Sequence, residues 1–144
     1  MNNYLPYDPG TLPTRASPNK GEKLVLIIEG LPPAKRPGVS LRNPKHPRYQ
    51  AFVDLRKAAA KAMRGRAWYF GPIGLDLVVY NNENKDRWAL NEFLGGIMDT
   101  LDGSSGVNFT YLPIVYEDDC QVSEAKFEYV ESKNSRYSLT VRFL

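Results

Sequence analysis

One cysteine and one histidine stand among the 144 residues, and both scarcities exclude chemistry. Cys120 has no second cysteine with which to close an intramolecular disulfide, and His46 alone cannot build a His/Cys cluster with zinc-ligand spacing. Zinc chemistry and histidine-based nucleophilic catalysis are therefore not expected. Long apolar runs are missing too: none approaches the roughly 18 residues of a membrane span. The opening MNNYLPYDPGTLPTRASPNKG has neither a charged start nor an apolar core segment, so it does not read as a secretory signal. A cytoplasmic location with no membrane partner is the expectation.

Acidic residues are scarce in one place only. Between positions 31 and 66, ten basic side chains (Lys35, Arg36, Arg42, Lys45, Arg48, Arg56, Lys57, Lys61, Arg64 and Arg66) meet a single acid, Asp54. That segment carries +9, and the remaining nine basic and fifteen acidic residues carry −6. A basic segment of this size suits a polyanion such as nucleic acid, because each phosphate neutralised releases counterions. The competing reading is a solvated helix face.

The length fits one domain with a real core. Residues 1–21, rich in Pro, Asn and Gly without hydrophobic period, read as an N-terminal tail or dimer arm, and residues 22–144 as the domain proper. LVLIIEG at 24–30 reads as a buried strand ended by Gly30 and two prolines. The following PPAKRPGVSLRNPKHP, with five prolines, cannot be helical. From Arg48 to about Arg64, Tyr49, Phe52, Val53, Ala60 and Met63 recur at helical spacing. In IGLDLVVYN the period falls to two, as in a strand. A second helix is expected from about Trp88 to Leu101 on a stripe of Leu90, Phe93, Leu94, Ile97 and Leu101. Gly95 and Gly96 interrupt it, each at a cost of about 1 kcal/mol relative to alanine, which calls either for close approach of a backbone or ligand, or for a kink. QVSEAKFEYV and RYSLTVRFL are expected as a closing antiparallel hairpin. The order strand, helix, strand, helix, strand, strand implies an α/β domain with a small mixed sheet.

The stretch YEDDCQV places Asp118 and Asp119 side by side just before a predicted strand. Adjacent carboxylates repel unless something offsets them, and the pair can either bind a hard divalent cation or cap a turn in solvent. With a basic segment and further acids in the chain, the parts of metal-assisted phosphodiester hydrolysis are present.

The ordered pieces LIIEGLPPAKRP, GPIGLDLVVY, LNEFLGGIMDTLDG and YEDDCQV together resemble the RusA-type Holliday junction resolvases, over roughly residues 24–130. DDCQV and IMDTLDG are the most specific. The resemblance implies a dimeric, Mg²⁺- or Mn²⁺-dependent endonuclease acting on four-way DNA junctions, in a nucleoid-associated setting. It places a metal-binding catalytic aspartate at Asp119, with Asp118 as helper. Laid without gaps, it also sets Ala89 and Asn91 where the family has two further aspartates, Glu92 on an asparagine and Gly95 on a lysine. Three accounts follow: a rearranged site in which Glu92 or Asp86 supplies the missing charge, a branched-DNA-binding protein that has lost cleavage, or a replaced aspartate at position 89. The candidate metal ligands are Asp119, Asp118, Glu92, Asp99 and Asn91, with Asp86 as a further catalytic acid.

For DNA contacts, the loop residues Lys35, Arg36, Arg42, Lys45 and Arg48 are favoured over Arg56, Lys57, Lys61 and Arg64 on the helix. Trp88, Tyr69 and Phe70 are either base-stacking platforms or core, with core favoured. His46, beside Pro47, is expected at the helix entry. Cys120 is expected as a small buried hydrophobe.

Overall fold

All four segments read as strands enter one sheet, although LVLIIEG lies at its edge with Val25 and Ile27 exposed (52% and 72%) and is not the buried strand expected. In the computed structural model, which describes residues 13–35, 40–82, 89–102, 104–105 and 110–144, β1 (Lys23–Glu29) pairs antiparallel with β6 (Arg136–Phe143). β6 pairs antiparallel with β2 (Ile73–Asn81), and β2 pairs parallel with β5 (Val122–Glu131), giving the order β1-β6-β2-β5. Leu26, Leu139, Leu77 and Phe127 therefore form one row across all four strands. Alternation aims that row at the core: Ile73, Leu75, Leu77 and Val79 of β2 are buried, as are Tyr137, Leu139, Val141 and Phe143 of β6.

Two helices lie over this face, α1 (Tyr49–Met63) and α2 (Leu90–Leu101). Their apolar stripes, Leu55, Ala59 and Met63 from α1 and Phe93, Ile97 and Leu101 from α2, join the sheet residues in one core. Each such side chain removed from water contributes about 1.5–3 kcal/mol. The parallel β2–β5 pair requires a crossover, and α2 supplies it together with a short antiparallel ribbon, β3 (Ser104–Ser105) and β4 (Thr110–Tyr111). The result is a small α/β domain with a mixed four-stranded sheet and two helices.

The expected closing hairpin does not form. β5 and β6 are neighbours in sequence, yet β2 lies between them in the sheet. The short link from Glu131 to Arg136 passes over the end of β2, where Asn81 holds it. The Ser132 N–H donates to the Asn81 carbonyl at 2.9 Å, the Ser135 hydroxyl reaches the Asn81 side-chain oxygen, and the Asn81 amide donates to the Tyr129 hydroxyl. Insertion of β2 wins because its inward face is apolar from Ile73 to Val79 and is buried best between two partners; a hairpin would leave β2 at an edge.

Residues 13–21 are laid against the domain. The Thr14 and Arg15 N–H groups donate to the Gly65 carbonyl, Gly21 N–H donates to the Phe143 carbonyl, and Pro18 is buried. Trp88, the expected start of the second helix, lies outside the described residues; α2 begins at Leu90 with Ala89 at its N-cap.

Candidate metal centre

Three carboxylates converge at the C-terminal end of α2. Asp99 and Asp102 lie three residues apart, the spacing that puts two side chains on one side of a helix. Asp119 arrives from the 3₁₀ turn Asp119–Gln121 that leads into β5. One carboxylate oxygen of each lies within 4.8 Å of those of the other two.

The segment carrying Asp119 is fastened at several points. Ile114 and Val115 N–H groups both donate to the Leu101 carbonyl, and the buried Tyr116 donates its hydroxyl to the Met98 carbonyl at 2.9 Å. Tyr116 also bridges in parallel to Tyr69 at the approach to β2. Gln121 completes the clamp. Its side-chain oxygen accepts from the N–H groups of Glu117 (2.9 Å) and Asp118 (3.1 Å), while its amide donates to the carbonyls of Tyr69 (2.8 Å) and Gly71 (3.0 Å). The glutamine of DDCQV thus ties the acid turn to the start of β2.

The two glycines of α2 answer the question that the sequence raised. A Cβ at Gly96 would collide with the Pro33 carbonyl, so the backbone of the proline loop approaches the helix directly. A Cβ at Gly95 would stand 3.4 Å from the stem of Lys35, whose N–H donates to the Glu92 carbonyl at 2.9 Å. Close approach, rather than a kink, explains Gly96, whereas a Cβ at Gly95 would meet only an ordinary contact. The bare helix surface lets Lys35 lie along α2 and bring its Nζ to 3.1 Å from Asp99, with 59% of the side chain exposed.

Two arginines complete the surroundings of the acids. Arg42 Nη2 donates to the Asp99 carbonyl at 2.9 Å and stands 3.6 Å from Asp102 Oδ1. Arg56, fully buried, donates to the carbonyls of Thr100 and Leu112, each at 3.0 Å. Both offset the negative end of the helix dipole, which otherwise adds to the carboxylate charge. Asp102 is 8% exposed, and its Oδ1 accepts no hydrogen bond. Burial pushes its carboxyl up to about 7 against the lowering effect of Arg42, and the neighbouring acids Asp99, Asp119 and Asp118 add to the rise. The adjacent pair divides its roles. The Cys120 N–H, followed by the hydrogen bond with Asp119, holds Asp118 below the usual carboxylate range. The same hydrogen bond, followed by burial, raises Asp119.

Of the acids expected from the sequence, Asp119 and Asp99 come together, and Asp102 joins them in a place for which no ligand was assigned. The signal was present in IMDTLDG as two aspartates at i, i+3 near the helix end. Asp118 caps the 3₁₀ turn by accepting from the Cys120 N–H at 3.0 Å and is not a member of this trio. Glu92 sits in the first turn of α2 and accepts from the Ala89 N–H at 3.0 Å, which makes it a helix-start residue. Asn91 is exposed in the same turn. From there to Asp99 is eight residues, about 12 Å along the axis, so the first turn and the acid trio occupy opposite ends of α2. Asp86 lies outside the described residues.

The basic residues separate by burial. Arg56 cannot meet a phosphate from the interior, and that expectation is corrected. Arg48 donates to the carbonyls of Leu31 (2.7 Å) and Pro32 (3.2 Å), and with Arg42 it holds the proline loop and the helix end in place. Lys45, Lys57 and Lys61 are exposed, and Arg36 lies outside the described residues. Tyr69 is buried and donates its hydroxyl to the Leu144 carbonyl at 2.7 Å, whereas Phe70 is 71% exposed. His46 is buried at the entry to α1, its Nδ1 accepting from the Arg48 N–H. Cys120 is exposed in the 3₁₀ turn, not buried in a strand, and the negative charge of Asp118 raises its thiol pKa.

No family model matches this chain, and no curated protein matches it. No helix among the described residues is long and apolar enough to cross a membrane.

Proposed function

We propose that this protein is a metal-dependent endonuclease of branched DNA, acting on four-way junctions by phosphodiester hydrolysis. The observation that carries the reading is the convergence of Asp99, Asp102 and Asp119 beside a largely exposed Lys35. The donor set fits a hard cation: three carboxylates, with a buried Asp102 oxygen that accepts no hydrogen bond. Asp99, Asp102 and Asp119 would hold Mg²⁺ or Mn²⁺. The bound cation supplies charge that polarises the phosphoryl group and lowers the pKa of an attacking water.

The chain's own residues supply the rest. Gln121 and Tyr116 fix Asp119 against α2, so the ligand geometry does not depend on a free loop. Lys35 offers its ammonium to a phosphate at the rim and brings from the proline loop the charge that the RusA-type pattern carries at position 95. Arg42 keeps the end of α2 and Asp102 from drifting apart. A symmetric dimer fits a substrate with two equivalent strands to cut.

The test uses a labelled four-way junction with and without Mg²⁺. Wild type is expected to cut only with the cation, and Asp119→Asn to lose at least about 100-fold in rate, the scale of an electrostatic group at a reacting phosphate, while binding persists. Junction binding by wild type with no cutting in Mg²⁺ or Mn²⁺ would replace this reading with a non-catalytic branched-DNA-binding protein, the role that Ala89 and Asn91 favour.

A further inference from the structure

Away from the carboxylates, the N-terminal stretch and the end of α1 enclose a surface cavity of about 540 Å³, lined by Arg15, Ala58, Lys61, Ala62, Arg64 and Arg66. Four of these six residues are cationic and none is acidic, so the cavity presents positive charge that Glu22, paired with Arg66, offsets only in part. The cavity is assembled by specific contacts. Thr14 and Arg15 N–H groups donate to the Gly65 carbonyl at 3.0 and 3.1 Å, Ala67 N–H donates to the Arg15 carbonyl at 3.0 Å, and the Ser17 hydroxyl donates to the Trp68 carbonyl at 2.8 Å. These bonds carry Arg15 to the helix end. Ala58 and Ala62, one turn apart on α1, leave the space open.

The helix end itself accounts for part of the charge. Arg15 Nη1 donates to the Arg64 carbonyl at 3.2 Å, Arg66 Nε to the Met63 carbonyl at 3.3 Å, and Arg66 Nη1 pairs with Glu22 at 3.2 Å. These contacts engage one nitrogen of Arg15 and two of Arg66, and a guanidinium has five N–H donors. The side chains of Lys61 and Arg64 have no partner among the described residues. Arg64 also holds φ at 53°, the left-handed region, where the other described residues with positive φ are glycines. Glycine would sit there without crowding its Cβ, so an arginine retains charge at the expense of local strain.

The cavity lies within reach of the acid trio. From Arg66 the chain runs three residues to Tyr69, which bridges to Tyr116, and three more residues lead to Asp119. Fully extended, that path spans about 26 Å at most, less than the roughly 34 Å of one duplex turn. We propose that this cavity is a phosphate anchor: it binds a backbone phosphate of the same nucleic acid whose reacting phosphodiester lies at Asp99, Asp102 and Asp119, within one duplex turn of it. The identity of the polyanion rests on the function proposed above. The forks of Arg15, Arg64 and Arg66 suit phosphate oxygens, and Lys61 adds a point charge.

The experiment measures four-way-junction affinity in EDTA over a sodium chloride series for full-length wild type, Arg64→Gly and the double variant Lys61→Gln/Arg64→Gly, with thermal unfolding of each. Arg64→Gly relieves the left-handed strain, so its Tm should equal or exceed that of wild type. Its junction affinity should fall several-fold, and the slope of log K against log salt should shrink by about 1, and by about 2 in the double variant. Folded variants with wild-type affinity and slope would overturn the anchor. So would adenosine monophosphate raising the Tm of wild type but not of Arg64→Gly while junction affinity ignores residue 64, since the cavity would then serve free nucleotides. Cutting in Mg²⁺ is scored separately. A protein that never cuts but whose salt slope depends on residue 64 overturns the nuclease and keeps the anchor; one that cuts with a slope indifferent to residue 64 does the reverse.

Discussion

At Asp102, burial and neighbouring charge act against the ionised form, and Arg42 only partly offsets them. The native state therefore holds this proton more tightly than the unfolded chain, whose aspartates titrate near 4. Its contribution to stability is complete below about pH 4 and is lost as pH rises through about 7, a change on the order of 2 kcal/mol once solvent screening is allowed for. Thermal unfolding in EDTA should show Asp102→Asn gaining on wild type between pH 5 and pH 8; a Tm difference that does not move with pH would contradict the assignment. Ala89 poses a separate question. It holds the N-cap of α2 in an extended conformation but has no side-chain acceptor, while Glu92 already provides the reciprocal half of a capping box. Ala89→Asp should raise stability by about 1 kcal/mol in urea denaturation. Because position 89 and the acid trio lie at opposite ends of α2, Mg²⁺ affinity should stay unchanged. Tighter Mg²⁺ binding by this variant would show that the metal is held at the start of the helix instead.

Among the elements, α2 and the proline loop depend on each other through their closest point. Gly96 faces the Pro33 carbonyl, whereas Gly95 faces only the flexible stem of Lys35. The two glycines should respond to the same substitution with opposite sign. Gly95→Ala should stabilise by up to about 1 kcal/mol through helix propensity, since its new methyl meets an ordinary contact. Gly96→Ala should destabilise by about 2 kcal/mol or more, because the Pro33–Ala34 backbone would have to withdraw and take Lys35 with it. Chemical denaturation of the two variants checks the pair. Equal effects would mean that the loop does not pack as described. Periodicity, a β-branched run and turn residues in the sequence found both helices and all four main strands, because these are local consequences of burial and backbone geometry. It could not choose between a kink and a close approach at the glycines, since the partner, Pro33, lies some sixty positions earlier in the chain.

Over the whole molecule, the uneven charge seen in the sequence is redistributed by folding. Three arginines of the basic segment turn inward or sideways onto carbonyls: Arg42 on Asp99, Arg48 on Leu31 and Pro32, and Arg56 on Thr100 and Leu112. Arg56 acts as a staple between α1 and the end of α2. Arg56→Met keeps length and apolar stem but leaves those carbonyls unpaired, so unfolding free energy should fall by about 2–4 kcal/mol. In the protein that remains folded, the salt slope of DNA binding should match wild type; a reduced slope would return Arg56 to the phosphate-binding set. Among the described residues of that segment, the cations left at the surface are Lys35 at the acid trio, Lys45, Lys57 and the group at the end of α1, where Arg15 arrives from a stretch that composition marked only as a tail or arm.

What the sequence alone determined is whatever depends on near neighbours: strand and helix positions, the α/β class, and the acid pair with its glutamine. Tertiary structure decided which strand lies beside which, because Asn81 draws the β5–β6 link across β2 and the apolar face of β2 is buried best between two partners. It also decided which carboxylates meet. Asp119 joins Asp99 and Asp102 because Tyr116 and Gln121 tie distant segments together, and Lys35 reaches them because Gly96 lets the Pro33–Ala34 backbone lie against α2. Such contacts follow from packing between residues far apart in the chain, and no local period records them.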